Sequence, residues 1–308
     1  FMASFPFNSS SSSFTLVGVP GLESFSTCLG VLFCSAYLVA LVGNGAVLLV
    51  IGLDKSLCAP THRLLATLAA IDMVMVTAIV PKMLSVLWLN SAEIGDVACF
   101  VQMFLVHSAT SEESGLLLAM ALDRYVAICH PLRYQTILSV QTIARIGLAI
   151  VLRALLFLVP LAGLVASLPY CGSHVVPHSY CEHLAVVRLA CTDPAPIELY
   201  SVAGSSLVVG MDVAFIAVSY GMILKAVLGQ RSPWKALSTC GSHLCVVLLF
   251  YLPGMVSIYA QHFGSAVSVP AQVLLADLYL TLPTTLNPLV YSMRTRHIRQ
   301  ALLRMLRR

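Results

Sequence analysis

The stretch MALDRYVAICHPLRY, Met120 to Tyr134, sets an adjacent acid and base, Asp123 and Arg124, at the end of an otherwise apolar run. Immediately before them, Leu116 to Ala121 reads LLLAMA. A helix of that character belongs in hydrocarbon, where charge is expensive. Asp123 and Arg124 therefore mark the point where a membrane span runs out into the headgroups and meets water or a protein partner. From these residues alone, an ordinary pair of snorkelling charges would look the same.

Composition carries the reading to the whole chain. Of its 308 residues 59% are hydrophobic and only 10% charged, with a mean hydropathy of +0.92, whereas a soluble globule would carry roughly 25% charged residues. This is an integral membrane protein. A spanning helix needs about 20 mostly apolar residues, and seven such segments can be drawn, at 27–52, 62–88, 98–122, 143–168, 198–228, 237–260 and 272–293. They are too long and continuous for barrel strands. The predicted fold is all-α: a seven-transmembrane helix bundle over 27–294, an N-terminal tail over 1–26 and a short amphipathic C-terminal helix over 295–308.

Orientation follows from the basic residues. Fourteen of the 17, including Lys55, Arg63, Arg124, Arg133, Arg145, Lys225, Arg231, Lys235 and every arginine from Arg294 to Arg308, fall on one side of the predicted spans. That side is expected to be cytoplasmic, which puts the C-terminus inside and the N-terminus outside. The net charge of +4 reflects this asymmetry and implies no nucleic-acid partner. The Ser-rich tail has no apolar core long enough for a cleavable signal, so the first span is expected to direct its own insertion. Asn8-Ser9-Ser10 is an N-x-S acceptor for glycosylation.

The polar residues inside the spans point to function. Asn44 needs an internal partner, and Asp72 in the second span is the natural one. In the third span, His107, Thr110, Ser111 and Ser114 recur at i, i+3, i+4 and i+7 and so share one face. Such a stripe reads as a pocket wall or as small hydroxyls bonding neighbouring helices. Glu112 and Glu113 lie deep in the same span and call for a partner, a proton or an ion; Arg153 in the fourth span is a candidate for Glu112. From Cys99 to Arg124 is about 37 Å of helix, so one helix reaches both rims. Cys171, Cys181 and Cys191 stand at ten-residue steps in the loop after the fourth span. With Cys99 they allow three disulfide connectivities. Cys171, His174, His178, Cys181 and His183 also have ligand-like spacing for a metal. Pro283 and Pro288 make a hinge in the seventh span, where Thr281, Thr284 and Thr285 are available for the released carbonyls. Ile298, Ala301, Leu302, Met305 and Leu306 then form the apolar stripe of an amphipathic helix among arginines.

MALDRYVAICHPLRY, KALSTCGSHLCVV from Lys235 to Val247 and LNPLVY from Leu286 to Tyr291 together closely resemble the signatures of olfactory receptors, a branch of the rhodopsin-like G-protein-coupled receptors. The resemblance runs from the first span to the C-terminal helix. HSATSEESG in the third span is similar to the fish-like class I group, which often reads HRFG where this chain has Gln261-His262-Phe263-Gly264. The resemblance implies a plasma-membrane receptor that binds an odorant in the outer half of the bundle, with His107, Thr110, Ser111, Ile258, His262 and Asp277 as candidate contacts. It also implies activation of a stimulatory or olfactory G protein to raise cyclic AMP, through Asp123, Arg124, Tyr125, Tyr220, Lys235, His243 and Tyr291. Asp72 and Glu113 match the family's acidic pair at a buried sodium or proton site, and no other cofactor is implied. The family pattern selects the disulfides Cys99 to Cys181 and Cys171 to Cys191. Tyr251 stands where most rhodopsin-like receptors have Trp, as it characteristically does in olfactory receptors.

Two departures stand out. The Arg of HRFG, which binds odorant carboxylates in the family, is His262 here. The first inner loop of the family usually reads close to LHxPMYxxL, whereas Leu57 to Leu65 here reads LCAPTHRLL. Among other classes, a transporter could use Asp72, Glu112, Glu113, Arg153 and Asp277 as a proton relay, but seven spans without an evident inverted repeat do not favour it. No HExxH, GxSxG or phosphate loop suggests an enzyme.

Overall fold

The structure is a computed structural model that describes residues 13–54, 57–171, 173–228, 233–263, 267–294 and 296–306. The side chains of 233–239, 261–263, 292–294, 296–297 and 305–306 lie outside that description. The first apolar segment is the helix α1 (Ser26–Leu53) and the second α2 (Pro60–Leu89), which opens on a proline in its first turn, where a missing N–H costs nothing. The segment that carries Asp123 and Arg124 is α3 (Asp96–Cys129), followed by a short helix α4 (Tyr134–Ile137). The fourth span is α5 (Val140–Ala166), N-capped by the Ser139 hydroxyl on the Thr142 N–H. A single turn α6 (His183–Val187) precedes the fifth span α7 (Ala195–Leu228), the sixth α8 (Pro233–Phe263) and the seventh α9 (Val269–Arg294); α10 (Arg296–Leu306) closes the chain.

Six of these helices are long and apolar enough to cross a membrane unaided, and α3, bent by 116° from the segment Pro131–Ile137 after it, supplies the seventh. At 1.5 Å per residue, 26 to 34 residues give about 39 to 51 Å, more than the roughly 30 Å of bilayer hydrocarbon. The helix ends therefore project beyond the apolar slab and can carry polar sites.

α3 is the axis, packed against α2, α5, α7 and α8. Its Gly115 makes room for a neighbour: a Cβ there would lie 2.8 Å from the Arg153 guanidinium. The seventh span packs on α1, α2 and α8 and hands over to α10, whose Ile298 and Ala301 are buried against the bundle and whose Arg304 reaches Asp54 at 3.0 Å. The stripe expected on α10 holds over its described side chains.

One end of the bundle carries a cap that no periodicity in the chain announces. Ser13–Leu16 is a strand, β1, at the centre of a three-stranded sheet. It pairs antiparallel with β2 (Glu93–Gly95) and parallel with β3 (Val175–Val176). Phe14 is fully buried there, with rings of Tyr170 and Phe100 edge-on at 5.3 and 6.1 Å. The chain then turns into α1 through Gly18 and Gly21, both at positive φ, a conformation that glycine adopts without a Cβ penalty. Residues expected to be a plain tail thus supply the middle strand of a lid.

Candidate functional site

Beneath that cap lies a cavity of about 180 Å³, walled by α3, α5, α7, α8, α9 and the segment around α6. An engineered cavity of about 150 Å³ holds benzene, so the space suits a molecule somewhat larger. His107, Thr110 and Ser111 line it together, as their shared helical face requires, and Ile258 faces it from α8. Phe157, Leu161, Phe250 and Tyr279 supply apolar wall, and Glu182 and His183 descend from the cap. The His107 and His183 rings meet edge to face at 5.7 Å. The Glu182 carboxylate caps α6 by accepting from the Ala185 N–H at 2.7 Å, and burial raises its pKa above the usual range. No Lys or Arg lines the cavity among the described residues.

The floor is a polar relay. Ser114 Oγ donates to Asp212 Oδ2 at 2.6 Å and lies 2.8 Å from the Tyr251 hydroxyl. Arg153 closes on the other Asp212 oxygen at 2.6 Å and donates to the Ser111 carbonyl at 3.0 Å. Three helices therefore meet through one buried carboxylate, and α8 joins them through the Ser114 hydroxyl. Arg153 is paired with Asp212 and not with Glu112, which corrects the expected pairing. Asp212 was the acid to look for: a lone carboxylate within SLVVGMDVAFIAV has no water to turn to and must find a cation in a neighbouring span, which is Arg153.

Deeper in the bundle, the Asn287 amide donates to both Asp72 oxygens, at 3.2 and 3.1 Å, and lies 3.4 Å from Glu113 Oε1. Asp72, Glu113 and Asn287 are all buried, and the Asn287 Oδ1 has no hydrogen-bond partner. Two carboxylates and an idle amide oxygen are hard ligands of the kind an alkali cation takes. No group of three His, Cys, Asp or Glu suited to a metal occurs among the described residues. Asn44 does not pair with Asp72 as expected. It donates to the carbonyls of Ala40 and Thr284 at 3.0 and 2.9 Å, and the reason is Pro288: lacking an N–H, it leaves the Thr284 carbonyl one turn back without its helical donor. The threonine hydroxyls bond other carbonyls of α9, those of Asp277, Leu280 and Thr281.

Both disulfides form as the family pattern selects, Cys99 to Cys181 and Cys171 to Cys191, which takes the two thiols out of the metal reading. The other six cysteines are free. The Gln102 carboxamide adds a tie, donating to the Ala78 carbonyl at 2.7 Å and accepting from the Cys181 N–H at 2.9 Å. Asp277 does not line the cavity; its carboxylate accepts a short hydrogen bond from Ser179 of the cap. Next to it, burial pushes the His178 imidazole down to about 3, so it stays neutral and accepts from the Ser179 N–H.

At the opposite end, Asp123 is buried and takes hydrogen bonds from Tyr134 and Thr61 at 2.7 and 2.9 Å. The Arg124 Nε is 3.9 Å from it. Tyr220 and His243 join α7 to α8 through a 2.7 Å hydrogen bond. The Tyr291 hydroxyl reaches the Met120 sulfur at 3.9 Å, and Tyr125 approaches His130 at 3.4 Å.

Comparison with known proteins decides the family. The family model described as olfactory receptor matches residues 33–308. Olfactory receptor 52I2 of Homo sapiens is 52% identical over 292 residues, covering 94% of this chain and 83% of the relative. Olfactory receptors 52I1 and 52D1 of Homo sapiens are 51% and 45% identical, covering 93% and 95% of this chain and 90% and 93% of the relatives. The chain belongs to the olfactory receptor family.

As an olfactory receptor it is an odorant-sensing G-protein-coupled receptor, a multi-pass protein of the plasma membrane and not an enzyme. The transporter alternative falls with that membership. Of the predicted contacts of this olfactory receptor, His107, Thr110, Ser111 and Ile258 share one cavity. The side chains of His262 and Lys235 lie outside the described residues, and so does Asn8 with its glycosylation triplet. Sequence reading missed Tyr180, Glu182 and His183 as wall residues because a loop's fold over a bundle has no periodicity to betray it.

Proposed function

We propose that this receptor lies with its disulfide-bonded cap outside the cell and its C-terminus in the cytoplasm. A small neutral oxygenated odorant is held in the capped cavity by His107, Thr110 and Ser111, with Ile258 giving apolar contact. The observation that carries this reading is the lining itself: imidazole and hydroxyl groups in an apolar wall, one carboxylate, Glu182, tied to the Ala185 N–H, and no cation among the described residues to hold an odorant carboxylate. His262, in the last turn of α8, stands where the family's HRFG pattern has an arginine. The Ser114 and Tyr251 hydroxyls on the floor link the cavity to Asp212 and Arg153, so a ligand that moves Tyr251 moves α8.

Signalling then runs to Asp123, Arg124, Tyr125, Tyr220, Lys235, His243 and Tyr291, which engage a stimulatory or olfactory G protein and raise cyclic AMP. Lys225, exposed near the end of α7, belongs to the basic face expected in the cytoplasm. A sodium ion or a proton at Asp72, Glu113 and the idle Asn287 oxygen balances the charge of the acidic pair.

Cells carrying the receptor and a cyclic-AMP reporter, challenged with short acids, esters, alcohols and amines, test this reading. Alcohols or esters should be the most potent class. Responses confined to carboxylic acids, or cargo uptake with no nucleotide-dependent response, would overturn it.

A further inference from the structure

The carboxylate of Asp123 is 1% exposed, and at that burial both of its oxygens need donors. Hydroxyls supply them, not the neighbouring guanidinium. The Tyr134 hydroxyl donates to Oδ1 at 2.7 Å and the Thr61 hydroxyl to Oδ2 at 2.9 Å. Those two hydroxyl oxygens sit 3.0 Å apart. Each has a single proton, and with both given to the carboxylate the contact between them is proximity alone. The Arg124 Nε comes no nearer than 3.9 Å to the same Oδ2 and has no hydrogen-bond partner. Thr61 therefore holds the very oxygen that Arg124 would take.

Three elements meet in this clasp. Thr61 comes from the first turn of α2, Asp123 from the last turns of α3 and Tyr134 from the start of α4. Thr61 also belongs to LCAPTHRLL, one of the two stretches where this chain departs from the family pattern. The usual residue there is Met, whose thioether has no proton to donate. The third member of the clasp is thus a feature of this chain, legible only once the fold has brought Thr61 to Asp123.

We propose that Thr61 is a positioning residue for coupling: by occupying Oδ2 it keeps Asp123 from closing on Arg124, and so raises the receptor's G-protein activation in the absence of ligand. This rests on the coupling role given to Arg124 above. Loss of the hydroxyl frees one carboxylate lone pair, and the adjacent guanidinium is the nearest donor to fill it. An Arg124 turned back onto Asp123 is less available to a partner, so the resting state deepens.

The test uses the full-length receptor in lipid nanodiscs with a heterotrimeric stimulatory G protein, at matched receptor amounts and with no ligand, reading nucleotide exchange. Thr61→Val keeps the shape and removes the hydroxyl, and basal exchange should fall about three- to tenfold, as expected when part of one charge-assisted hydrogen bond shifts a two-state equilibrium. Thr61→Ser restores the donor and should restore the rate. Unchanged or higher basal exchange in Thr61→Val, or a Thr61→Ser variant as low as Thr61→Val, would overturn the proposal. An unmutated receptor that drives no exchange without ligand has no basal activation for Thr61 to raise, and the proposal is overturned; if an agonist identified by the cyclic-AMP reporter also drives no exchange, the coupling reading itself fails. Hydrogen exchange then still decides the clasp: Thr61→Val and Tyr134→Phe should each speed exchange of the amides over 133–138, and Thr61→Ser should not. Equal protection in all four proteins would show that the clasp positions nothing.

Discussion

The two ends of this receptor are built from different bonds. The capped end is held by two disulfides, a three-stranded sheet, the Gln102 bridge and the buried rings around Phe14. The Arg124 end has hydroxyl-to-carboxylate bonds, a tyrosine-to-histidine bond and an ion pair at 3.9 Å. Covalent and sheet contacts do not exchange on the time scale of signalling, whereas single hydrogen bonds between side chains do. The difference teaches where motion is permitted: the cavity is given fixed walls, and the far rim is given contacts that can re-pair.

The sharpest way to break this comparison is Arg124→Ala. If the far rim is a switch and not a support, that receptor should reach the surface in normal amounts yet lose agonist-driven cyclic AMP entirely; a full response from it would make the rim a scaffold like the cap. Cys181→Ser attacks the other end, where loss of a native disulfide costs about 2 to 5 kcal/mol. Surface labelling should show the protein retained inside the cell, while normal display with intact signalling would mean that the sheet suffices alone. Phe14→Ala removes the ring that packs β1 onto the bundle, and burying a Phe side chain in such a cluster is worth about 3 kcal/mol. A lowered melting temperature in nanodiscs, together with faster amide exchange over 93–95 and 175–176, is the expected result. The smallest effect sharpens the reading of the cavity: an arginine carries a fixed charge that an imidazole does not. His262→Arg should improve the potency of short carboxylic acids roughly tenfold, about 1.4 kcal/mol, and leave neutral agonists unchanged. An equal shift for both classes would remove His262 from ligand selection.

Legibility in the sequence followed range. The spans were plain because a 20-residue apolar run needs no partner to declare itself, and His107, Thr110 and Ser111 were found because helical spacing alone puts them on one face. The Asp212 carboxylate was overlooked although its chemical need was visible, since nothing local says which cation answers it. Asn44 was assigned to the nearest acid, and the better claim came from a proline in another helix.

What the sequence by itself determined is the solvent and the elements: apolar runs that belong in hydrocarbon, charges that must stand at its edges, prolines that release carbonyls and motifs that mark an olfactory receptor. Only the tertiary structure decided the pairings. Arg153 with Asp212, Asn44 with Thr284, Ser179 with Asp277 and Thr61 with Asp123 join residues 59, 240, 98 and 62 positions apart. A buried polar group must be satisfied, but the requirement names no partner. In a bilayer every helix is equally at home beside lipid or beside another helix, so the choice falls to geometry, and geometry exists only after the bundle has closed.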